Sequence, residues 1–335
     1  MPQRFRHFLK RSLLVAITLS LAGCALFDRD TRDSPAPAAE AGQPSPAEPV
    51  RKAPPSLDTR VAIVVTNTMP AYTSVAAELA SMLENHTIYN LADKSRSERE
   101  LFFAVFEAQA QAVVAIGLHA ATAAKSRSQV PVVFCQVFNV EDNELISNRV
   151  KGVAALPPLD LQVRAWRKHS PDIRTIGAIV GEGHESLIEE AAKATEAAGI
   201  DLHYRIANSD RETLYLFNRL ADEIDGFWLF PDNRILSPPV LRQMFKDASR
   251  HGIQVAVFNN SLLNLGAAIS STSDAADIAS TIVSVLVEID SGGLDSIPDI
   301  SPLTRMDIRM NDKVLKRFGQ RTDSTTSVVD AEQTF

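Results

Sequence analysis

The residues best suited to bind a small polar molecule follow predicted strands in the second half of the sequence. Asp232 and Asn233 come directly after a predicted strand over residues 226–230. Doubly wound sheets present ligands at the carboxyl ends of their strands, where a carboxylate beside an amide accepts hydrogen bonds from an ammonium or hydroxyl group. Both residue types also favour turns and helix caps, so capping of the next helix is the alternative.

Other predicted strands are also followed by residues able to contact a ligand. His119 opens a helix after the third strand, where the helix N-terminus favours an anion. A partly exposed capping residue is the alternative there. Phe138 and Asn139 leave the fourth strand, and Phe138 either stacks on a ligand or packs in the core. Three further candidates for ligand contact lie in loops of the second half: His184, Ser186 and Asn260.

No catalytic or metal-binding pattern accompanies these residues. The sequence has no Gly-x-Ser-x-Gly elbow, no His-Glu-x-x-His motif, no Walker loop and no Cys-x-x-Cys pair. The histidines are scattered without metal-ligand spacing. Cys135 lies in an apolar run and is expected to be a buried thiol rather than a nucleophile. The protein is therefore predicted not to be an enzyme and to need no cofactor or metal.

Composition narrows the classes of function further. The chain has 335 residues, of which 34 are Lys or Arg and 41 are Asp or Glu, giving a net charge of -7. An acidic balance argues against a nucleic-acid partner, since such proteins carry basic patches. The hydrophobic share of 45% and charged share of 22% are ordinary for globular proteins, and the length suggests two domains.

The first residues carry the pattern of a bacterial lipoprotein signal. Four basic residues precede the apolar stretch 13–22, whose roughly ten residues are too few to span a membrane. The stretch ends in Leu-Ala-Gly-Cys, which predicts removal of residues 1–23 and lipidation of Cys24. An ordinary secretory signal is the alternative. Because no Asp directly follows Cys24, similarity to lipoprotein sorting rules indicates a periplasm-facing outer-membrane lipoprotein of the bacterial cell envelope.

The remaining sequence predicts an α/β fold with two similar units. Residues 24–59 form a Pro- and Ala-rich linker after the lipidated cysteine, and residues 321–335 form a flexible tail. Between them, strands and helices alternate, restart near residue 155 and imply parallel sheets with helices on both faces. We expect two doubly wound lobes joined by a hinge. The N-terminal lobe is predicted to comprise residues 60–152 and 266–320, and the C-terminal lobe residues 153–265.

Four segments in this order carry a resemblance to a known family: residues 152–162, 225–233, 251–258 and 310–319. They read GVAALPPLDLQ, DGFWLFPDN, HGIQVAVF and MNDKVLKRFG. Over about residues 60–320 the chain resembles the bacterial ABC transporter substrate-binding proteins of the tryptophan/tyrosine-binding type. That resemblance implies the type I periplasmic-binding fold, with a ligand cleft between the lobes.

Three cleft loops depart from the pattern that this family usually shows. Residues 117–120 read Gly-Leu-His-Ala in place of Gly-Thr-Pro-Ala. Residues 138–140 read Phe-Asn-Val in place of a small polar residue, Asp and Pro. Residues 181–184, Gly-Glu-Gly-His, replace an Asn-Pro loop. The resemblance therefore implies the scaffold more strongly than an aromatic amino-acid ligand.

Two functions are consistent with these observations. The first is a lipid-anchored solute-binding protein that captures a small molecule, such as an amino acid or related zwitterion, for an ABC importer or a sensor. Its expected partners are the ligand, an ABC permease or another envelope protein, and the membrane through the lipid anchor. The second is an outer-membrane accessory lipoprotein with a vestigial cleft that binds a protein partner.

Overall fold

A computed structural model describes residues 58–319 and the backbone of residues 327–330. The predicted signal sequence, the lipidation site at Cys24, nearly all of the linker and most of the tail lie outside the described residues. Within the described residues, no helix combines the length and apolar character needed to cross a bilayer.

The first lobe is built on a six-stranded sheet in which every neighbouring pair is parallel. Its central strands are continuous apolar runs that are buried throughout, as expected for strands covered on both faces. The sheet order is β11-β5-β4-β3-β1-β2. The strands are β1 (Val61–Val65), β2 (His86–Asn90), β3 (Ala112–Ile116), β4 (Val132–Cys135), β5 (Val150–Val153) and β11 (Ile300–Ser301).

Two helices cover each face of this sheet. Helices α1 (Pro70–Met82) and α8 (Ala275–Asp290) pack on one face, and α2 (Glu98–Glu107) and α3 (Leu118–Arg127) on the other. Local sequence sets where they begin. A capping box between Ser97 and Glu100 starts α2, because each side chain satisfies a backbone N–H of the other.

The second lobe contains a seven-stranded sheet of order β13-β12-β10-β9-β8-β6-β7. The five strands from β7 to β10 are parallel, whereas β12 and β13 run antiparallel to their neighbours. Helices α4 and α5 cover one face, and α6 and α7 cover the other. The strands are β6 (Thr175–Val180), β7 (Asp201–Ile206), β8 (Gly226–Trp228), β9 (Gln254–Val257), β10 (Ile269–Thr272), β12 (Arg305–Met310) and β13 (Ser327–Asp330). The helices are α4 (Leu159–His169), α5 (Glu185–Ala197), α6 (Asp210–Leu220), α7 (Pro238–His251) and α9 (Asp312–Leu315).

The predicted fold class, two doubly wound lobes dominated by parallel strands, is confirmed by these two sheets. The predicted assignment of residues 266–320 to the first lobe needs correction. Ile269 of β10 pairs with Ala256 on one side and with Met310 of β12 on the other, so both strands belong to the second sheet. From that range, α8 and β11 belong to the first lobe. The short sequence of β10, Ile-Ser-Ser-Thr, has too little apolar patterning to indicate which sheet it joins.

The chain crosses between the lobes at three places: 153–159, 272–275 and 301–305. The first two crossings are joined directly, because Ser273 Oγ donates to the carbonyl oxygen of Ala155 at 2.5 Å. Hydrogen bonding between crossings makes the hinge one structural unit.

A buried carboxylate holds the third crossing. Asp277, in the first turn of α8, is 3% exposed. It accepts from Thr304 N at 2.8 Å, from Thr304 Oγ1 at 2.7 Å and from Arg305 N at 2.8 Å. These bonds fix the start of β12 in the second lobe against a helix of the first.

Candidate functional site

A cavity of about 470 Å³ lies between the lobes, next to the hinge. The first lobe contributes residues 137–141 after β4, and Ile300, Pro302 and Leu303 at and after β11. The first crossing forms another wall, and the start of α5 with Pro231 closes the side of the second lobe. The cavity therefore lies beyond strand ends of both sheets, where doubly wound folds bind ligands, and its size is typical of small-molecule sites.

Most of the residues that line the cavity are of apolar type, and four of them are prolines: Pro157, Pro158, Pro231 and Pro302. Its polar side chains are Asn139, Glu141, His184, Ser186 and Glu190. Neither lysine nor arginine is among the described residues that line it. The lining thus combines apolar surface with two carboxylates, one from each lobe.

Residues 138–142 contact the second lobe directly. Asn139 Oδ1 lies 2.8 Å from His184 Nε2, and Asp142 Oδ2 lies 2.8 Å from Arg234 Nη1. The ring of Phe138 meets that of Phe258 edge-on, with centroids 6.2 Å apart. This segment and the first crossing both line the cavity.

The backbone around this segment is strained. Gln136, Asn139 and Glu144 adopt positive φ angles of 57°, 55° and 47°, a left-handed conformation that non-glycine residues rarely adopt. Such strain persists where the surrounding structure imposes it and often accompanies binding sites. Here, the left-handed turn at Asn139 accompanies its side-chain contact with His184.

Asp232 is buried and saturated with hydrogen bonds. Its side chain is 2% exposed. It accepts from Gly181 N at 3.1 Å and from the backbone N of Arg234 at 3.0 Å, the latter forming an Asx turn. The Arg234 side chain donates Nε to Oδ1 at 2.9 Å and Nη2 to Oδ2 at 2.8 Å. Burial raises the pKa of Asp232, but the hydrogen bonds and charge of Arg234 outweigh it, so the pKa lies below its usual range.

Gly181 has no room for a side chain beside this pair. A Cβ at this position would lie 2.5 Å from Asp232 Oδ2 and 2.7 Å from Arg234 Nη2. The glycine thereby allows the backbone N–H to reach the carboxylate.

Polar groups surround the His184 ring. Nδ1 lies 2.9 Å from Arg234 Nη2 and 3.2 Å from the carbonyl oxygen of Gly181. Nε2 lies 2.8 Å from Asn139 Oδ1. Both ring nitrogens of this buried histidine are therefore engaged by the protein.

The two carboxylates that line the cavity approach the same face of α5. Glu141 Oε1 lies 3.5 Å from Ser186 Oγ, and Glu190 follows Ser186 by one helical turn. Partial burial, followed by the negative charge of Asp160, raises the pKa of Glu190, although the N–H of Leu159 and the charge of Lys193 oppose this. The shift reflects a carboxylate that is poorly compensated by its surroundings.

Four of the eight sequence-predicted contact residues line the cavity: Phe138, Asn139, His184 and Ser186. Asp232 is not among the lining residues. Its carboxylate bonds Gly181 N and the Arg234 side chain, which in turn contacts His184. Asn233 is exposed. The alternative role for this pair, capping the next helix, is wrong, because Ser237 is the N-cap residue of α7.

His119 and Asn260 are not part of the cavity lining. His119 Nε2 contacts Glu98 Oε1 at 2.7 Å, a bond between α3 and α2 within the first lobe. Asn260 begins a 3₁₀ turn after β9, and its Oδ1 is buried without a hydrogen-bond partner. Cys135 is fully buried in the first-lobe core, and this burial raises its thiol pKa, in agreement with the predicted inert thiol.

Sequence reasoning missed Glu141, Asp142, Glu190 and Arg234. Charged residues in loops and on helix surfaces are usually solvated, so the sequence alone provides no signal that sets Glu141, Asp142 or Glu190 apart. The adjacency of Arg234 to the Pro-Asp-Asn element was the one available indication. Among the described residues, no group of three or more His, Cys, Asp or Glu side chains is arranged to hold a metal ion.

Comparison with known proteins relates this geometry to a family. Residues 84–333, more than half of the chain, match the family described as ABC transporter substrate binding protein. This family is of a substrate-binding rather than an enzymatic type. No curated protein matches the sequence.

Solved structures with a similar fold include three bacterial proteins. A ligand-free, open substrate binding protein with adhesive properties from Clostridium difficile is 15% identical, with a TM-score of 0.61 over 80% of this chain and 97% of that one. An ABC domain in complex with L-Trp from Streptococcus pneumonia is 16% identical, with a TM-score of 0.53 over 78% and 95%. A conserved domain protein from Vibrio cholerae is 18% identical, with a TM-score of 0.53 over 78% and 95%. At these identities, the likeness shows the fold.

Proposed function

Since the chain belongs to the ABC transporter substrate binding protein family, we propose that it is a lipid-anchored protein that captures a small molecule between its lobes for an importer or a sensor. The observation that carries this proposal is the cavity of about 470 Å³, because both lobes and the hinge line it. A ligand held there contacts both lobes at once and favours the closed arrangement.

Native mass spectrometry of the protein purified from its host tests ligand capture. We expect a co-purified small molecule that is lost from Ser186→Trp, whose indole fills the cavity beside α5. Ala192→Trp is the matched control, because Ala192 is exposed on the same helix outside the cavity lining. Retention of the molecule by Ser186→Trp would place the binding site elsewhere.

The lipid anchor is supported by the basic residues, the apolar stretch and the Leu-Ala-Gly-Cys ending of the first 24 residues. The residues after Cys24 support outer-membrane placement, with an ABC permease or another envelope protein as partner. We expect Cys24→Ser to abolish membrane attachment and incorporation of labelled palmitate. A variant that remains in the membrane fraction would contradict lipidation at this cysteine.

The second candidate function, an accessory lipoprotein with a vestigial cleft, is favoured by one observation. The Arg234 side chain is hydrogen-bonded to the carboxylate of Asp232. This carboxylate was predicted from the sequence to bind the ammonium group of a zwitterionic ligand. Two results together would support this candidate. The protein purified from its host would carry no small molecule, and the Ser186→Trp variant would bind a protein partner as well as the wild type does. If the protein does bind a small molecule, the charged side chains of the cavity lining indicate its chemical class.

A further inference from the structure

We infer that the cavity binds a small organic cation, namely an ammonium or quaternary amine carried by an apolar body. This inference rests on the proposed function, in that it takes the cavity to be the solute site. The charged side chains of the lining are Glu141 from the first lobe and Glu190 from the second. An amine between them has a carboxylate on each lobe, so its binding also favours closure.

Both carboxylates lie on the side of the cavity formed by α5. Glu141 contacts Ser186, and Glu190 lies on the same face of α5 four residues later. A cation bound over this face is within reach of both side chains.

A ligand carboxylate, in contrast, has no cationic partner among the described lining residues. The guanidinium of Arg234, which contacts the lining residue His184, is bound to Asp232 through Nε and Nη2 and to Asp142 through Nη1. Both ring nitrogens of His184 already have protein partners, Nε2 with Asn139 and Nδ1 with Arg234 and Gly181. An anion would therefore have to displace an existing ion pair while facing Glu141 and Glu190.

Part of the cavity wall offers no backbone donor to an anion. Four wall residues are prolines, which lack an N–H group and offer only a carbonyl acceptor. The other wall residues, such as Leu156, Leu187 and Val153, are apolar. These apolar side chains suit the hydrocarbon part of an amine.

Three probes that share one apolar body separate the charge classes: tryptamine, L-tryptophan and indole-3-propionate. Titration calorimetry on the full chain should show the lowest Kd for tryptamine, about tenfold or more below that of indole-3-propionate. Glu190→Gln should raise the Kd of tryptamine by about tenfold. Glu189→Gln, one residue away, exposed and outside the lining, should leave it unchanged.

Equal or tighter binding of indole-3-propionate, or an unchanged tryptamine Kd in Glu190→Gln, would overturn the cation inference and leave solute binding intact. If none of the probes binds at millimolar concentration, the charge of the molecule released from the host-purified protein decides. A cation supports the inference, whereas a neutral or anionic molecule overturns it. A chain that releases nothing and binds no probe refutes both this inference and the proposed function.

Discussion

Arg234 forms ion pairs with two carboxylates whose surroundings differ, and this difference predicts two distinct mutational costs. The Asp232 side chain is 2% exposed, whereas that of Asp142 is 35% exposed. Arg234→Met removes the donors at 2.9 Å and 2.8 Å from Asp232 and leaves it with two backbone N–H groups. Asp142→Asn removes only the charge of the partly exposed partner across the cleft.

The magnitudes follow from this exposure. Removing one partner of a buried pair costs about 3–5 kcal/mol, because the remaining charge stays desolvated. Since the Arg234 side chain is 39% exposed, water can replace part of it, and we expect the lower end, about 3 kcal/mol. The Asp142 pair should contribute no more than about 1 kcal/mol. In the double variant Asp232→Asn with Arg234→Met, the unpaired charge is gone, so its stability should exceed that of Arg234→Met alone.

The pH dependence provides an independent check. In the wild type, the lowered pKa of Asp232 means that its contribution is present above the usual carboxyl pKa and is lost only as pH falls below it. In Arg234→Met, burial acts without the guanidinium and raises that pKa. Protonation of Asp232 at mild acidity then removes the unpaired buried charge. The loss of unfolding free energy in Arg234→Met relative to the wild type should therefore shrink between about pH 7 and about pH 4.

The free energies of unfolding can be measured in urea titrations, with tryptophan fluorescence as the signal. The two tryptophans of the chain, Trp166 and Trp228, both lie in the core of the second lobe, which also carries Asp232 and Arg234. The reasoning fails if Arg234→Met costs no more than Asp142→Asn, or if its deficit is the same at both pH values.

Three further outcomes are expected. Asp277→Ala leaves the donors of Thr304 without their buried acceptor at the hinge. The variant should lower the free energy of unfolding by about 2–4 kcal/mol in urea titrations. An unchanged midpoint of urea unfolding would contradict the role of Asp277 at the hinge. Gly181→Ala places a methyl group against the Asp232 carboxylate and should cost about 1–3 kcal/mol by the same assay, whereas a neutral effect would contradict that close packing. The affinity for tryptamine, measured by calorimetry, should fall as pH drops through the raised pKa of Glu190, because protonation removes the negative charge of that carboxylate. A constant affinity between about pH 7 and about pH 5 would count against Glu190 as the ligand's partner.

The fold could be predicted where a strand is apolar along its whole length. Val61–Val65 and Ala112–Ile116 are buried on both faces, and this environment selects continuous Val, Ile and Ala runs. The polar strand β10 has no such pattern, and its place in the second sheet depends on β9 and β12 beside it. The boundary of the lobes was therefore misplaced although the fold class was right.

The site could be predicted only in part, because strand ends indicate position but not the partners of a side chain. Phe138 and His184 follow strands and do line the cavity. The engagement of Asp232 depends on the geometry of the Arg234 side chain, and the interlobe pair of Arg234 joins it to Asp142, a residue distant in sequence. His119 likewise contacts a residue 21 positions away, on a different helix. Periodicity and local motifs do not encode such pairings.

The interleaving of the lobes has a consequence for how the chain acquires its structure during synthesis. The first sheet has β1 near the beginning of the described chain, yet one of its faces is covered by α8, which ends at Asp290. At about 5–20 residues per second, roughly 10 to 45 s separate the emergence of these two elements from a ribosome. The second sheet also waits for β12 at residues 305–310. Neither lobe is one continuous stretch of the chain. A premature stop before residue 275 therefore removes α8 from one face of the first sheet and leaves the β10 edge of the second sheet unpaired.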